Sequence, residues 1–162
     1  MSTEFRKVIN GRLTSLLKPI GFNKKGNGYT HQQNDITYYI ETQGSRHSTS
    51  DNLVVTVNIG LTSSQIFSLW DISLPEAKQR HWEKRIGTFT SPRNDKWWEI
   101  KTEAEALNAA GEITAILELK VLPEILAIRS TQDLEDLWKQ GKSPGITDKL
   151  RLEFLQLLQA QK

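Results

Sequence analysis

The stretch GSRHSTSD places Ser45, His47, Ser48 and Asp51 within one short polar segment. Hydroxyl, imidazole and carboxylate are the parts of a nucleophilic site, where a base takes the hydroxyl proton and a third group holds the base. Sequence neighbours in a loop rarely meet that geometry, because surrounding structure must fix all three. Serine, aspartate and asparagine are also ordinary turn formers, so a solvated loop is the expectation. The remaining histidines, His31 and His81, stand alone. No two histidines sit at the i, i+3 or i, i+4 spacing that puts two ligands on one helix face, and HExxH is absent. No metal site and no cofactor are expected. Lys24-Lys25-Gly26-Asn27-Gly28 is basic and glycine-bearing, yet it joins two strand-like segments and opens no helix. It reads as a hairpin turn and not as a phosphate cradle.

More informative is a set of polar residues that alternate with apolar ones. In ITYYIETQ, Ile36, Tyr38 and Ile40 point one way, while Thr37, Tyr39, Glu41 and Gln43 point the other. LVVTVNIGL repeats the pattern, with Leu53, Val55, Val57, Ile59 and Leu61 opposite Val54, Thr56, Asn58 and Gly60. Two such strands give an antiparallel sheet with an apolar face and a polar face, as when helices cover only one side. Thr37, Tyr39, Glu41, Gln43, Thr56 and Asn58 then form a coherent array of donors and acceptors, the expected binding surface. A second candidate group is Glu41, Arg85, Asp95 and Glu99, since carboxylates beside a strong cation can position water or a substrate. The sequence KWWEI adds an aromatic. As a strand it sends Trp98 and Ile100 to the helix-covered side, and Trp97 and Glu99 to the polar side beside Tyr39 or its neighbours.

The elements that must position these residues follow from punctuation and period. The sequence has 162 residues, 37% apolar and 25% charged, the size and balance of one ordinary domain. Phe5, Val8, Ile9, Leu13, Leu16, Leu17 and Ile20 line one helical face, and Pro19 and Gly21 end it. PEAKQRHWEKRIG reads as a helix with Pro75 in its first turn and Gly87 at its end. Thr88–Thr90 and Lys96–Ile100 read as short strands. In the last third, Leu107, Ala110, Thr114, Leu117 and Val121 recur at helical spacing, and Pro123 breaks or restarts that helix. Ser130 and Asp133 resemble a capping box. A final helix carries Leu150, Phe154, Leu157 and Leu158. The expected fold is α+β in a single domain over residues 1–162: a helix at 1–20, antiparallel strands at 22–61, a helix and short strands at 75–100, and helices at 103–160, packed mainly on one face of the sheet.

Several function classes are disfavoured. There is no cysteine, so disulfides and thiolate metal sites are excluded and a reducing compartment fits. The first residues have no apolar core of the kind a secretory signal needs, and no apolar run approaches ~18 residues, so no membrane span is expected. A cytoplasmic protein is the expectation. The net charge of +2 is too small to imply nucleic-acid binding, and no ribonucleoprotein-type aromatic motif appears.

The amphipathic helix running into LLKPIGFNKKGNGYTH, the strand ending at Gln43 and Ser45, TVNIGL, RIG followed by NDKWWEI, and the helix reaching VLPEIL together resemble a family known as domain of unknown function 4304. The resemblance reaches to about Ile128 and implies a bacterial, cytosolic α+β protein. It implies no activity, so no catalytic residue is carried over. The sequence therefore leads to a non-enzymatic binding or protein-interaction module with a small-molecule or protein partner. An immunity or antitoxin-like role is one conceivable form of the latter. The alternatives are an enzyme using carboxylates on the polar sheet face and, less favoured, a nucleic-acid-binding domain. The expected site comprises Tyr39, Glu41, Gln43, Thr56, Asn58, Arg85, Trp97 and Glu99.

Overall fold

A computed structural model describes residues 2–70 and 79–162. The chain opens with helix α1 (Ser2–Leu17), extended by a 3-10 turn over Lys18–Ile20. Strands β1 (Asn23–Lys25), β2 (Gly28–Gln33), β3 (Ile36–Gly44) and β4 (Leu53–Ser63) follow. Helix α2 (Ser64–Leu69) comes next, then β5 (Trp82–Arg85), a 3-10 turn over Ile86–Phe89, and β6 (Trp98–Ile100). The remainder is helical: α3 (Glu103–Ile116), a π turn over Leu117–Val121, α4 (Leu122–Leu126), α5 (Thr131–Lys139) and α6 (Asp148–Gln159). The fold is α+β, with an antiparallel sheet ordered β1-β2-β3-β4-β5 and β6 also paired to β4.

The alternation in β3 and β4 fixes the sheet. Their register runs from Ile36 opposite Ser63 to Gly44 opposite Val55, which puts Ile36, Tyr38 and Ile40 on the same face as Leu53, Val55, Val57, Ile59 and Leu61. Leu53, Val55, Val57, Ile59 and Leu61 are buried there with Phe5, Ile9, Leu13 and Leu17 of α1. Ile20 lies past the end of the stripe and is exposed.

Two short elements differ from expectation. Residues 82–85 are a strand and not helical; the expected start of that helix, at Pro75, lies outside the described residues. Trp82 pairs with Leu61 and faces the core, and Glu83 and Arg85 face the polar side, so the segment is period-two despite its charge. Thr88–Thr90 is not a strand either, because the 3-10 turn occupies Ile86–Phe89.

Helix α3 buries a different stripe from the one its leucines suggest. Ala106, Ala109, Ala110 and Ile113 are buried, whereas Leu107 is 48% exposed. Small side chains let α3 pack closely on α1, and that contact outweighs burial of one more leucine. Pro123 does not break the helix. It lacks the N–H that would reach Leu119, and its ring would meet that carbonyl. The turn before it widens instead: the N–H of Leu122 bonds to the carbonyl of Leu117, five residues back. Ser130 accepts from the N–H of Asp133, and the Asp133 carboxylate accepts from the N–H of Arg129, a capping box shifted by one residue.

Polar groups tie the helices to the sheet. The Tyr38 hydroxyl donates to the carbonyl of Ile128 at 2.6 Å. His81 is fully buried against Phe67 and Phe154, with ring centroids at 4.5 and 5.2 Å. Its Nδ1 accepts from the N–H of Ser63 at 2.7 Å, so Nε2 carries the proton and faces no partner among the described residues.

Burial, helped by the neighbouring Arg80 charge, pushes His81 down to about 4 from its ordinary 6.5. The unfolded chain therefore binds a proton at His81 that the native chain does not, over the window between those values. Stability contributed by the neutral ring is intact above about pH 6.5 and falls with pH down to about 4, by on the order of 3 kcal/mol. Denaturant midpoints measured across this range should show the fall, and His81→Phe should flatten it. An unchanged pH slope in that variant would refute the assignment.

Candidate functional site

The polar sheet face divides into two hydrogen-bonded clusters. In the first, the Arg80 guanidinium lies over the Tyr39 ring, 3.6 Å from its centroid, and donates to Glu41 at 2.7 Å. Its stem crosses Gly60, where a Cβ would come within 3.2 Å of Arg80 Cδ. The Tyr39 hydroxyl bonds to Thr62 at 3.3 Å. Tyr39 and Glu41 are thus already satisfied by the protein and closed over by Arg80.

The second cluster runs across β3, β4 and β5. Asn58 stands opposite both Glu41 and Arg85. Arg85 Nε donates to Asn58 Oδ1 at 3.2 Å, and Asn58 Nδ2 donates to Gln43 Oε1 at 2.6 Å. Arg85 Nη1 also reaches both Asp95 oxygens at 3.1 Å, and the indole N–H of Trp97 donates to Asp95 at 3.1 Å. The Arg85 guanidinium lies 5.2 Å from the Trp97 ring centroid. These bonds from Arg85 and Trp97 hold the Asp95 carboxyl below its ordinary range.

Trp97 arrives here because of how the chain returns to β4. β5 pairs with Asn58–Leu61 and β6 with Leu53–Val55, so both strands occupy the same edge. Residues 86–97 leave and rejoin that edge between them. Thr56, in the gap, donates to the carbonyl of Lys96 at 2.6 Å. Gly87 lets the loop close on itself: its carbonyl accepts from the N–H of Asn94 at 3.1 Å, and a Cβ there would lie 2.0 Å from the Asn94 oxygen. Trp98 then enters the core at 7% exposure, with its indole N–H donating to Glu112 on α3 at 2.8 Å. Trp97 is half-buried on the opposite side.

Trp97, Gln43 and residues Gly44, Ser45, Arg46 and His47 line a depression of about 500 Å³. Its loop wall is built: Ser48 Oγ donates to the carbonyl of Val54 and accepts its N–H, while Ser45 Oγ accepts from the N–H of His47.

Of the expected site residues, Gln43, Asn58, Arg85 and Trp97 are brought together. Tyr39 and Glu41 belong to the neighbouring cluster, so Trp97 is beside Gln43 and not beside Tyr39. Thr56 is fully buried and holds the loop; it does not face solvent, because the returning backbone crosses over it. Glu99 lies out on β6, paired with Lys101 at 3.3 Å and bonded by Asn52. Glu41, Asp95 and Glu99 therefore have three different partners and share no cavity. Ser45, His47 and Asp51 form no relay, since Ser45 bonds the His47 backbone and not its ring. Among the described residues no cluster of three metal-ligating groups occurs, and no helix is long and apolar enough to cross a membrane.

Arg80 is not among the expected site residues, because the sequence pattern places it in a helix; the alternation of Trp82 with Glu83 is the signal for a strand beside it. The sequence pattern also gives no sign of a larger cavity of about 870 Å³ beside β5, floored by Trp82 and Ile128. Its rim charges are mixed and partly engaged: Lys84 pairs with Glu124 at 2.8 Å, and Asp133 caps α5.

Together these features define an α+β protein that presents a preorganised polar cluster and one half-exposed tryptophan on the open face of its sheet. Residues 13–126 match the family described as Domain of unknown function (DUF4304), and the chain belongs to that family. The match takes in every residue of both clusters. No curated protein and no solved structure matches the chain.

Gly87→Ala should test the loop. Its methyl group would force the loop open at Asn94, costing about 1–3 kcal/mol in a denaturation measurement. It should also shift the Trp97 indole resonance while leaving those of buried tryptophans in place. A neutral substitution would show that the close approach at Gly87 does not seat the loop.

Proposed function

We propose that this protein is a non-enzymatic binding module whose ligand is a small molecule seated in the depression between Trp97, Gln43 and the Ser45–His47 loop. One observation carries the reading. Trp97 is clamped by Asp95 and Arg85 while one part of the ring lines a cavity. A large aromatic left partly in water is costly unless it has a use, and a clamped one loses little rotamer freedom when a ligand packs on it. The cavity size falls in the ~300–1,000 Å³ range of ligand pockets. The binding reading is favoured over catalysis because the titratable residues lining the depression are His47 and Arg46, with no carboxylate in the lining to serve as a general base. A cytoplasmic setting fits the cysteine-free sequence.

A fragment library screened by the indole N–H resonances of the five tryptophans tests this. Hits should move the Trp97 signal and leave that of Trp98 unmoved. Trp97→Ala should abolish the response of Gln43 to the same fragments and lower stability by about 1 kcal/mol, the cost of the lost bond to Asp95 and the contact with Arg85, without unfolding the chain. Fragments that bind the variant as well as the wild type would place the site elsewhere.

A further inference from the structure

The hydrogen-bond relay behind the depression determines what the depression can accept. Arginine only donates. Because Arg85 Nε donates to Asn58 Oδ1, the Asn58 amide must turn its NH₂ outward. That NH₂ donates to Gln43 Oε1, so Gln43 in turn must direct its own NH₂ away from Asn58. The orientation of each amide is set by the one before it, and the relay ends in a donor. Ser45 Oγ accepts from the N–H of His47, which leaves its own proton to donate. Arg46, exposed on the rim, adds donors and a full charge, and it makes no ion pair among the described residues. The polar lining is therefore rich in donors, and no carboxylate belongs to it. On the helix-covered side of the same strand, the Arg6 guanidinium lies against Gly44, where a Cβ would come within 2.4 Å of it. The acids of the neighbouring sheet face already have partners: Asp95 is held by Arg85 and Trp97, Glu41 by Arg80, and Glu99 by Lys101.

A donor-rich, cationic pocket with an indole wall selects an acceptor-rich, anionic and planar molecule. We propose that the depression binds a nucleoside monophosphate-class ligand, with its base against Trp97, a base acceptor on the Gln43 amide, and its phosphate at Arg46 and His47. This rests on the binding reading above and names its ligand chemistry. The same base and phosphate also occur in a nucleic-acid strand. A free nucleotide is the better fit, because Glu41, Glu83, Asp95 and Glu99 lie along the face on which a strand would have to continue.

Adenosine monophosphate, adenosine, inorganic phosphate and a single-stranded decanucleotide are titrated separately into the full chain, read by the Trp97 indole and Gln43 amide resonances. The monophosphate should bind at least tenfold more tightly than adenosine or phosphate alone. Arg46→Ala should shrink its advantage over adenosine to about twofold, and Trp97→Ala should weaken adenosine itself. Gln43→Glu replaces the terminal donor by a carboxylate and should abolish binding; Gln43→Met, which is neutral, should lose less. Thermal unfolding of each variant separates these effects from misfolding. Equal affinity for monophosphate and adenosine, or no effect of Gln43→Glu, would overturn the proposal. So would a decanucleotide that binds more tightly than the monophosphate, in favour of a strand. If the monophosphate fails up to ~10 mM while neutral fragments still move Trp97, the ligand class is wrong and the binding reading stands. If neither moves Trp97, both fall.

Discussion

β4 takes two partners along a single edge, and the rest of the polar face depends on that constraint. β3 holds its other edge over the whole of the nine-residue strand. β5 and β6 then share what is left, one above the other, so the chain between them has to depart and return at Thr56 and Val57. The return is pinned by the Thr56 hydroxyl on Lys96 and by the self-contact at Gly87. Register does the remainder: Thr56 lies opposite Gln43, so the first side chain after the pin, Trp97, meets Gln43. An aromatic and an amide far apart in sequence are joined by strand pairing and not by a motif.

The apolar side is organised by fewer polar contacts, each of them buried or partly buried. Tyr38 reaches the end of α4 through Ile128, and Trp98 reaches α3 through Glu112. Ser63 caps α2 by accepting from Ile66 and contacts Thr131 at the start of α5; Thr131 in turn bonds Asp35. Leaving such a group unpaired costs more than the bond contributes, so these contacts select one arrangement of helices on the sheet. Between them the packing is apolar and close, most visibly where the alanines of α3 meet α1.

Much of this was legible in the sequence wherever a strand had a wet and a dry face. ITYYIETQ, LVVTVNIGL and KWWEI announce their sides by alternation, and Trp98 and Ile100 are buried as the pattern requires. β5 was concealed because its alternate residues are all charged or amphipathic, and Pro75 and Gly87 resemble helix ends. The true role of Gly87 is close approach, which no local pattern encodes. Leu107 misled because hydrophobicity alone ranks leucine above alanine, whereas helix contact distance reverses that order here. The site was legible as a list and not as an assembly. Gln43, Asn58, Arg85 and Trp97 could be chosen by type and face. That Arg80 would close over Tyr39, or that Thr56 would disappear under the returning chain, depends on pairings between strands distant in sequence.

The excursion between β5 and β6 has one more consequence. Both of its ends are anchored to β4, so the sheet sets where the segment begins and finishes but not how much chain it contains. Lengthening a closed loop is cheap, about 0.6 kcal/mol for each doubling. The middle of this segment can therefore be rebuilt by insertion or deletion around Pro92 and Arg93 without disturbing strand order or the seat of Trp97 at its returning end. In this architecture the tip of the excursion is an exchangeable part, while Thr56 and Gly87 are the fittings that any replacement has to preserve.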